Sequence, residues 1–229
     1  EAGKSIRHDT SDYNVIMGAY AGDALNTGAS NVAIGYYALS SEDTNASNVA
    51  VGYRALKDQD GGQRNVAIGY DAAYGNSTGQ SNVAIGFQSM SAHTTANRNT
   101  CIGYNSMYTG SGDSLGSYDN VFIGYQAASG NWSGDDSNNN VGIGYEAMAG
   151  AMQGSTNNVA IGYESLHDIT TGDDNVAIGF RAGDAMAANS KNIIIGTDAL
   201  GAADGSEDVN VAIGYQAMSS VNTDGADSN

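Results

Sequence analysis

The sequence predicts an all-β fold, a parallel β-roll or β-solenoid of about twelve coils, and three observations predict it. A unit of the type Asn-Val-Ala-Ile-Gly-Tyr-x-Ala-Leu recurs from one end of the 229-residue chain to the other. The spacing between its copies is nearly constant. The composition, with 32 Gly, 3 Phe, 1 Trp and no Pro, suits repeated short strands and turns. No window carries the 3.6-residue apolar pattern of a long helix. Val, Ile and Tyr recur too regularly for a disordered chain.

The copies begin at Asn14, Asn31, Asn48, Asn65, Asn82, Asn99, Asn120, Asn140, Asn158, Asn175, Asn192 and Asn210. Their spacings run 17, 17, 17, 17, 17, 21, 20, 18, 17, 17 and 18 residues. They leave no sequence for a second unit, so residues 1–229 read as a single repeat domain. The longer spacings add residues only in the polar segment, at 109–119 and 129–139. The unit itself is never interrupted, as stacked coils with tolerant loops require.

Each place in the unit has a physical reading. The second and fourth residues are Val or Ile almost throughout, as in Val32 and Ile34. Two β-branched residues at period two share one face of a short strand, and they are expected to be buried. The third residue is mostly Ala, with Ile16, Phe122 and Ile194 as larger variants, and it points the other way. The fifth is Gly in all twelve copies, from Gly18 to Gly214. That predicts a corner with positive φ or close backbone approach.

An aromatic residue follows the corner in ten of twelve copies, for example Tyr53, Phe87 and Tyr163. The next residue varies (Tyr37, Arg54, Asp71, Gln88, Glu146, Arg181) and is expected to face solvent. Ala or Ser and then usually Leu or Met complete a pattern that suits a second short strand. The remaining eight or so residues are Ser, Thr, Asn, Asp and Gly, the vocabulary of turns.

One corner per 17 residues makes all the strands run the same way, each pairing with its equivalent one coil above and below. Identical side chains then form ladders. The first-position Asn is expected to form one, or to build a turn, since Asn accepts left-handed backbone and bonds local main chain. The absence of Pro agrees, because every coil must donate its N–H groups to a neighbour. At about 4.8 Å per coil the rod spans roughly 55–60 Å. Few large apolar groups per coil make a thin core, which favours association of several chains.

Charge narrows the partners. Twenty-five acidic residues against 8 basic give a net charge of −17, which disfavours nucleic acid and anionic membranes and keeps an elongated object soluble. Cys101 is the single cysteine, so no intrachain disulfide forms. It occupies an Ala place and reads as a small packing residue. No apolar run is long enough to span a bilayer, and the first ten residues carry no secretory core. The chain opens and closes on loop-like sequence, as expected for a processed product or a piece of a longer protein.

The unit Asn31-Val32-Ala33-Ile34-Gly35, with its equivalents in all twelve copies, resembles the head repeat of YadA-like trimeric autotransporter adhesins and, equally, the repeats of phage tail fibres. The adhesin repeat is usually shorter; the longer unit with Tyr after Gly is more similar to the tail-fibre version. The resemblance implies a left-handed parallel β-roll, three chains per fibre, an extracellular, cell-surface or virion location, and attachment to a host or matrix. Its partners would be copies of itself, as a homotrimer or filament, and a cell-surface glycan or protein receptor.

Candidate sites are sparse. Asp58 and Asp60 place two carboxylates at alternate positions before Gly61, as calcium loops do, without the remaining ligands. Calcium is therefore the one cofactor to consider. Tyr118 and Trp132 lie in the two insertions, where exposed aromatics would serve as glycan or receptor contacts. Asn45, Asn76 and Asn131 stand in Asn-x-Ser/Thr sequons. Gly112-Asp113-Ser114-Leu115-Gly116 has nucleophile-elbow spacing, but no helix follows, and His8, His93 and His167 are not placed to activate the serine. Ile-Gly-x-x-Ala also resembles the hexapeptide repeat of left-handed β-helix acyltransferases, whose apolar ladders occupy three sides rather than part of a coil. The expected function is a structural fibre segment and not an enzyme. A self-assembling filament of purely architectural role is the alternative, and ice binding, which wants Thr ladders, fits less well.

Overall fold

A computed structural model describes residues 13–41, 44, 46–110, 116–132, 134–201 and 208–219. Each copy of the unit contributes one three-residue strand: β1 (Val15–Met17), β2 (Val32–Ile34), β3 (Val49–Val51), β4 (Val66–Ile68), β5 (Val83–Ile85), β6 (Thr100–Ile102), β7 (Val121–Ile123), β8 (Val141–Ile143), β9 (Val159–Ile161), β10 (Val176–Ile178), β11 (Ile193–Ile195) and β12 (Val211–Ile213). They form one sheet in the order β1 to β12. Every pairing is parallel and joins equivalent places, such as Val32 with Val49 and Ala33 with Ala50. The longest insertion does not shift it: Thr100 still faces Val121, and Ile102 faces Ile123. No helix occurs among the described residues.

The strands face opposite to the sequence expectation. The third residue points inward: Ala33, Ala50, Ala67, Ala84, Cys101 and Phe122 are all fully buried. The Val and Ile on either side are half-buried or exposed on the outer face. The reason is the width of the interior. Each coil already sends its eighth and ninth residues inward, for example Ala55 and Leu56 or Ser106 and Met107. One strand side chain fits opposite them, small unless a facing glycine makes room.

The expected second strand is a turn. The seventh and ninth residues of the unit adopt left-handed backbone, as at Arg54 (φ 53°) and Leu56 (φ 49°). Their amides bond to different neighbours, Arg54 N–H to Tyr36 O below (2.8 Å) and Leu56 N–H to Ala72 O above (3.0 Å). The ladder thus continues through a segment with no strand geometry, and the hydrogen bonds offset the roughly 1–2 kcal/mol that each left-handed residue costs. The seventh side chain is not simply solvated either, since Asp71 is buried against Arg54.

The Gly corner behaves as the sequence predicts. Its φ lies between 129° and 143° in all twelve copies. A Cβ on Gly86 would overlap the carbonyl of Gly103 in the next coil. Both reasons for requiring Gly therefore operate at one place.

A further interior column comes from the segment read as polar turn. Leu25, Gln59, Asn76, His93, Trp132, Met152, Ile169 and Met186 are buried, each three or four residues after the ninth residue of its unit. Volume is also balanced between places. Where the third residue is large, a glycine faces it: Ile16 lies against Gly22, Phe122 against Gly142 and Ile194 against Gly183. A Cβ on Gly142 would come within 2.8 Å of the Phe122 ring, so the two residues share one space.

Candidate interaction surface

The outer face of the sheet is built by residues whose main chain is fixed from inside. Each first-position Asn accepts, at its side-chain oxygen, the backbone N–H of the next Asn: 2.9 Å from Asn48 to Asn31, 2.9 Å from Asn99 to Asn82 and 2.9 Å from Asn210 to Asn192. Its amide nitrogen donates to loop carbonyls, such as Asn82 to Ala96 O at 2.7 Å and Asn120 to Ser137 O at 2.9 Å. These buried bonds tie strand to loop in each coil from Asn48 to Asn175. Above that frame the second and fourth residues form two continuous β-branched columns on the outside. Ile68, Ile161 and Ile178 are 37–39% exposed in the middle of the sheet.

The aromatic column runs beside them. From Tyr36 to Phe180 the rings stack with centroids 4.8–5.5 Å apart and planes within 14° of parallel. Because each ring covers the faces of its neighbours, the column shows solvent its edges and phenol groups. That geometry offers little face area for a sugar ring to stack on. The seventh residues add charge pairs along the column. The Arg54 guanidinium binds both Asp71 oxygens, and Arg181 meets Asp184 at 2.7 Å and Glu164 at 3.5 Å. His167 lies between Asp168 (2.6 Å) and Glu146 (3.7 Å). The Glu146 carboxylate beside the Tyr145 phenol, together with partial burial, pushes its pKa up to about 12. Tyr163 is raised in the same way by Glu164.

The residues singled out from sequence fall apart in space. Trp132 is not an exposed contact. It is 4% exposed, its indole N–H donates to Ala128 O at 2.9 Å, and its ring meets Phe122 and His93 edge-on at 5.8 and 5.3 Å. An aromatic among polar residues looks like a surface feature until the buried column is known. Tyr118 does stay at the surface, with the Arg98 guanidinium over its ring and Arg98 paired to Asp119 at 2.7 Å. Asp58 is paired with Lys57 at 2.8 Å, and the residue between it and Asp60, Gln59, points inside. Asn76 is buried and out of reach of a glycosylating enzyme, Asn131 is exposed, and Asn45 lies outside the described residues.

His93 is buried. Neither ring nitrogen makes a well-formed hydrogen bond among the described residues, and burial pulls its pKa down to about 4 against a weaker opposite pull from the Met107 backbone. Cys101 packs inside as expected, its Sγ 3.3 Å from Met107 Sδ, and burial raises its pKa. Gly112, Asp113, Ser114 and Leu115 of the elbow-like motif lie outside the described residues, as does His8. What sequence reasoning missed is the outward direction of the Val and Ile columns. The near-uniform Ala at the third place was the available signal, since a tight interior tolerates only a small residue.

No protein-family model, curated protein or solved structure matches the chain. The fold defines it as a β-solenoid repeat protein. No helix among the described residues is long and apolar enough to cross a membrane.

Proposed function

We propose that this chain is a structural segment of an attachment fibre, in the manner of an adhesin or a phage tail fibre, and that it works as an assembly of copies of itself outside the cell or on a virion. One observation carries the reading: two β-branched columns lie on the outer face along the sheet. A stable interface buries about 800 Å² per partner, and a face with two apolar side chains per coil over the whole sheet offers area of that order. Copies of one chain share its axial repeat, so their columns can meet in register along the whole rod. Three chains, as the repeat resemblance implies, would enclose these two columns and leave the aromatic column, the charged seventh residues and the loops outside. Receptor contacts then belong to the loops, with Tyr118 as the exposed candidate.

Electron microscopy of the purified protein tests this reading. Short rods of uniform length support a discrete fibre segment. Continuous filaments favour the architectural alternative, and globular single chains contradict both. Adding a chelator to the same preparation tests whether calcium at Asp58 and Asp60 takes part.

A further inference from the structure

The aromatic column holds phenols in stacking register and open to solvent, an arrangement suited to oxidative coupling. Tyr145 and Tyr163 are the pair it favours. Their rings are 4.8 Å apart and 4° from parallel, and both are exposed, at 40% and 42%. The backbone beneath them is pinned, Glu164 N–H donating to Tyr145 O at 2.8 Å. Each phenol also lies beside a carboxylate of its own coil, Tyr145 beside Glu146 and Tyr163 beside Glu164. The column's next rings lack one of these features: Tyr125 is followed by Gln126 and not by a carboxylate, and on the other side stands Phe180, which has no phenol.

We propose that Tyr145 and Tyr163 form an oxidative cross-linking site, joined as dityrosine by a peroxide-driven one-electron oxidant such as a haem peroxidase. Each phenol gives up one electron and one proton, the carboxylate beside it taking the proton as the electron leaves. The two electrons and two protons reduce one hydrogen peroxide to two waters. The phenoxyl radicals couple between carbons ortho to their oxygens. Each joined carbon then releases its hydrogen as a proton while each oxygen regains one, restoring two phenols in a product two hydrogen atoms lighter. Solvent exposure gives the rings room to swing out of stacking and approach bonding distance. The result is a covalent staple between two adjacent coils, on the outer surface and independent of the buried Asn ladder.

The test treats the full chain with a haem peroxidase and limiting hydrogen peroxide, followed by intact mass, dityrosine fluorescence and peptide mapping. The expected result is loss of two hydrogen atoms from single chains and a dominant cross-linked peptide containing Tyr145 and Tyr163. Tyr145→Phe and Tyr163→Phe should each remove more than half of the fluorescence, and Tyr118→Phe should not. Glu146→Gln combined with Glu164→Gln should slow coupling severalfold. The proposal is overturned if cross-links map mainly to Tyr74, Tyr108 or Tyr118, or if they join only isotopically light to heavy chains in a mixture. Equal yield from folded and urea-unfolded chain also overturns it. The wild-type map needs no variant to fold, so the site stays testable throughout.

Discussion

The side-chain oxygen of Asn99 accepts the backbone N–H of Asn120 at 3.0 Å, across the longest insertion in the chain, 21 residues. The same oxygen takes the Asn120 amide at 3.0 Å, and the Asn99 amide donates to Ser117 O at 2.9 Å. The stack therefore keeps its registry where the sequence spacing changes most. Asn99→Ala removes that acceptor and leaves a buried N–H unpaired, at a cost of about 1–3 kcal/mol. Chemical unfolding measures it.

Gly103 stands at φ 137°, and a Cβ there would overlap the carbonyl of Gly124. Backbone cannot move aside as a flexible side chain can. Gly103→Ala should cost upwards of about 3 kcal/mol, among the large single-site effects. A lowered melting temperature, or loss of soluble protein, is the expected readout.

Phe122 and Gly142 share one interior space. Gly142→Ala should destabilise by about 1–3 kcal/mol through overpacking. Phe122→Leu in the same chain should recover part of that loss, with a coupling of about 0.5–3 kcal/mol in the double-mutant cycle. Additive effects would show that the two residues are independent.

Trp132 and Tyr118 looked alike in sequence and separate in the structure. Trp132→Ala empties a buried site and should cost about 3–5 kcal/mol. Tyr118→Ala, at the surface, should stay within about 0.5 kcal/mol. Urea unfolding of the two variants side by side distinguishes packing from exposure.

His93 gives the fold a pH dependence. Its native pKa is lowered to about 4 by burial, below the roughly 6.5 of an unfolded His. The unfolded state then binds the proton more readily, so this contribution is complete above pH ~6.5 and is lost as pH falls from there toward the native value near 4. Stability should drop by up to about 1.4 kcal/mol per pH unit within that window. His93→Leu should flatten this slope, and unfolding midpoints measured from pH 7 to pH 4 check it.

Much of the architecture was legible in the sequence because identical residues stack on identical residues. The Asn ladder, the Gly corner and the parallel register each follow from one motif place repeated twelve times. The facing of the strand was not legible from Val32 and Ile34 alone, since period two identifies a shared face without saying which side is the core. Burial of His93, Asn76 and Trp132 was hidden because their column changes chemical character along the chain, from Gln59 to Met186. A position filled by amide, imidazole, indole and thioether in turn gives no ladder signal. The candidate surface was half legible: the aromatic column was visible as a repeat, and the β-branched columns beside it needed their true direction.

The outward Val and Ile columns as a self-association face is the central claim, and solution mass tests it most directly. Sedimentation of the wild-type chain should give a whole-number multiple of the chain mass, three if the repeat resemblance holds. Ile102→Lys with Ile123→Lys, both on the outer face of neighbouring strands, should reduce that mass toward a single chain and keep the β-sheet spectrum. A wild-type protein that sediments as one chain, or a double-lysine variant with unchanged oligomer mass, contradicts the claim.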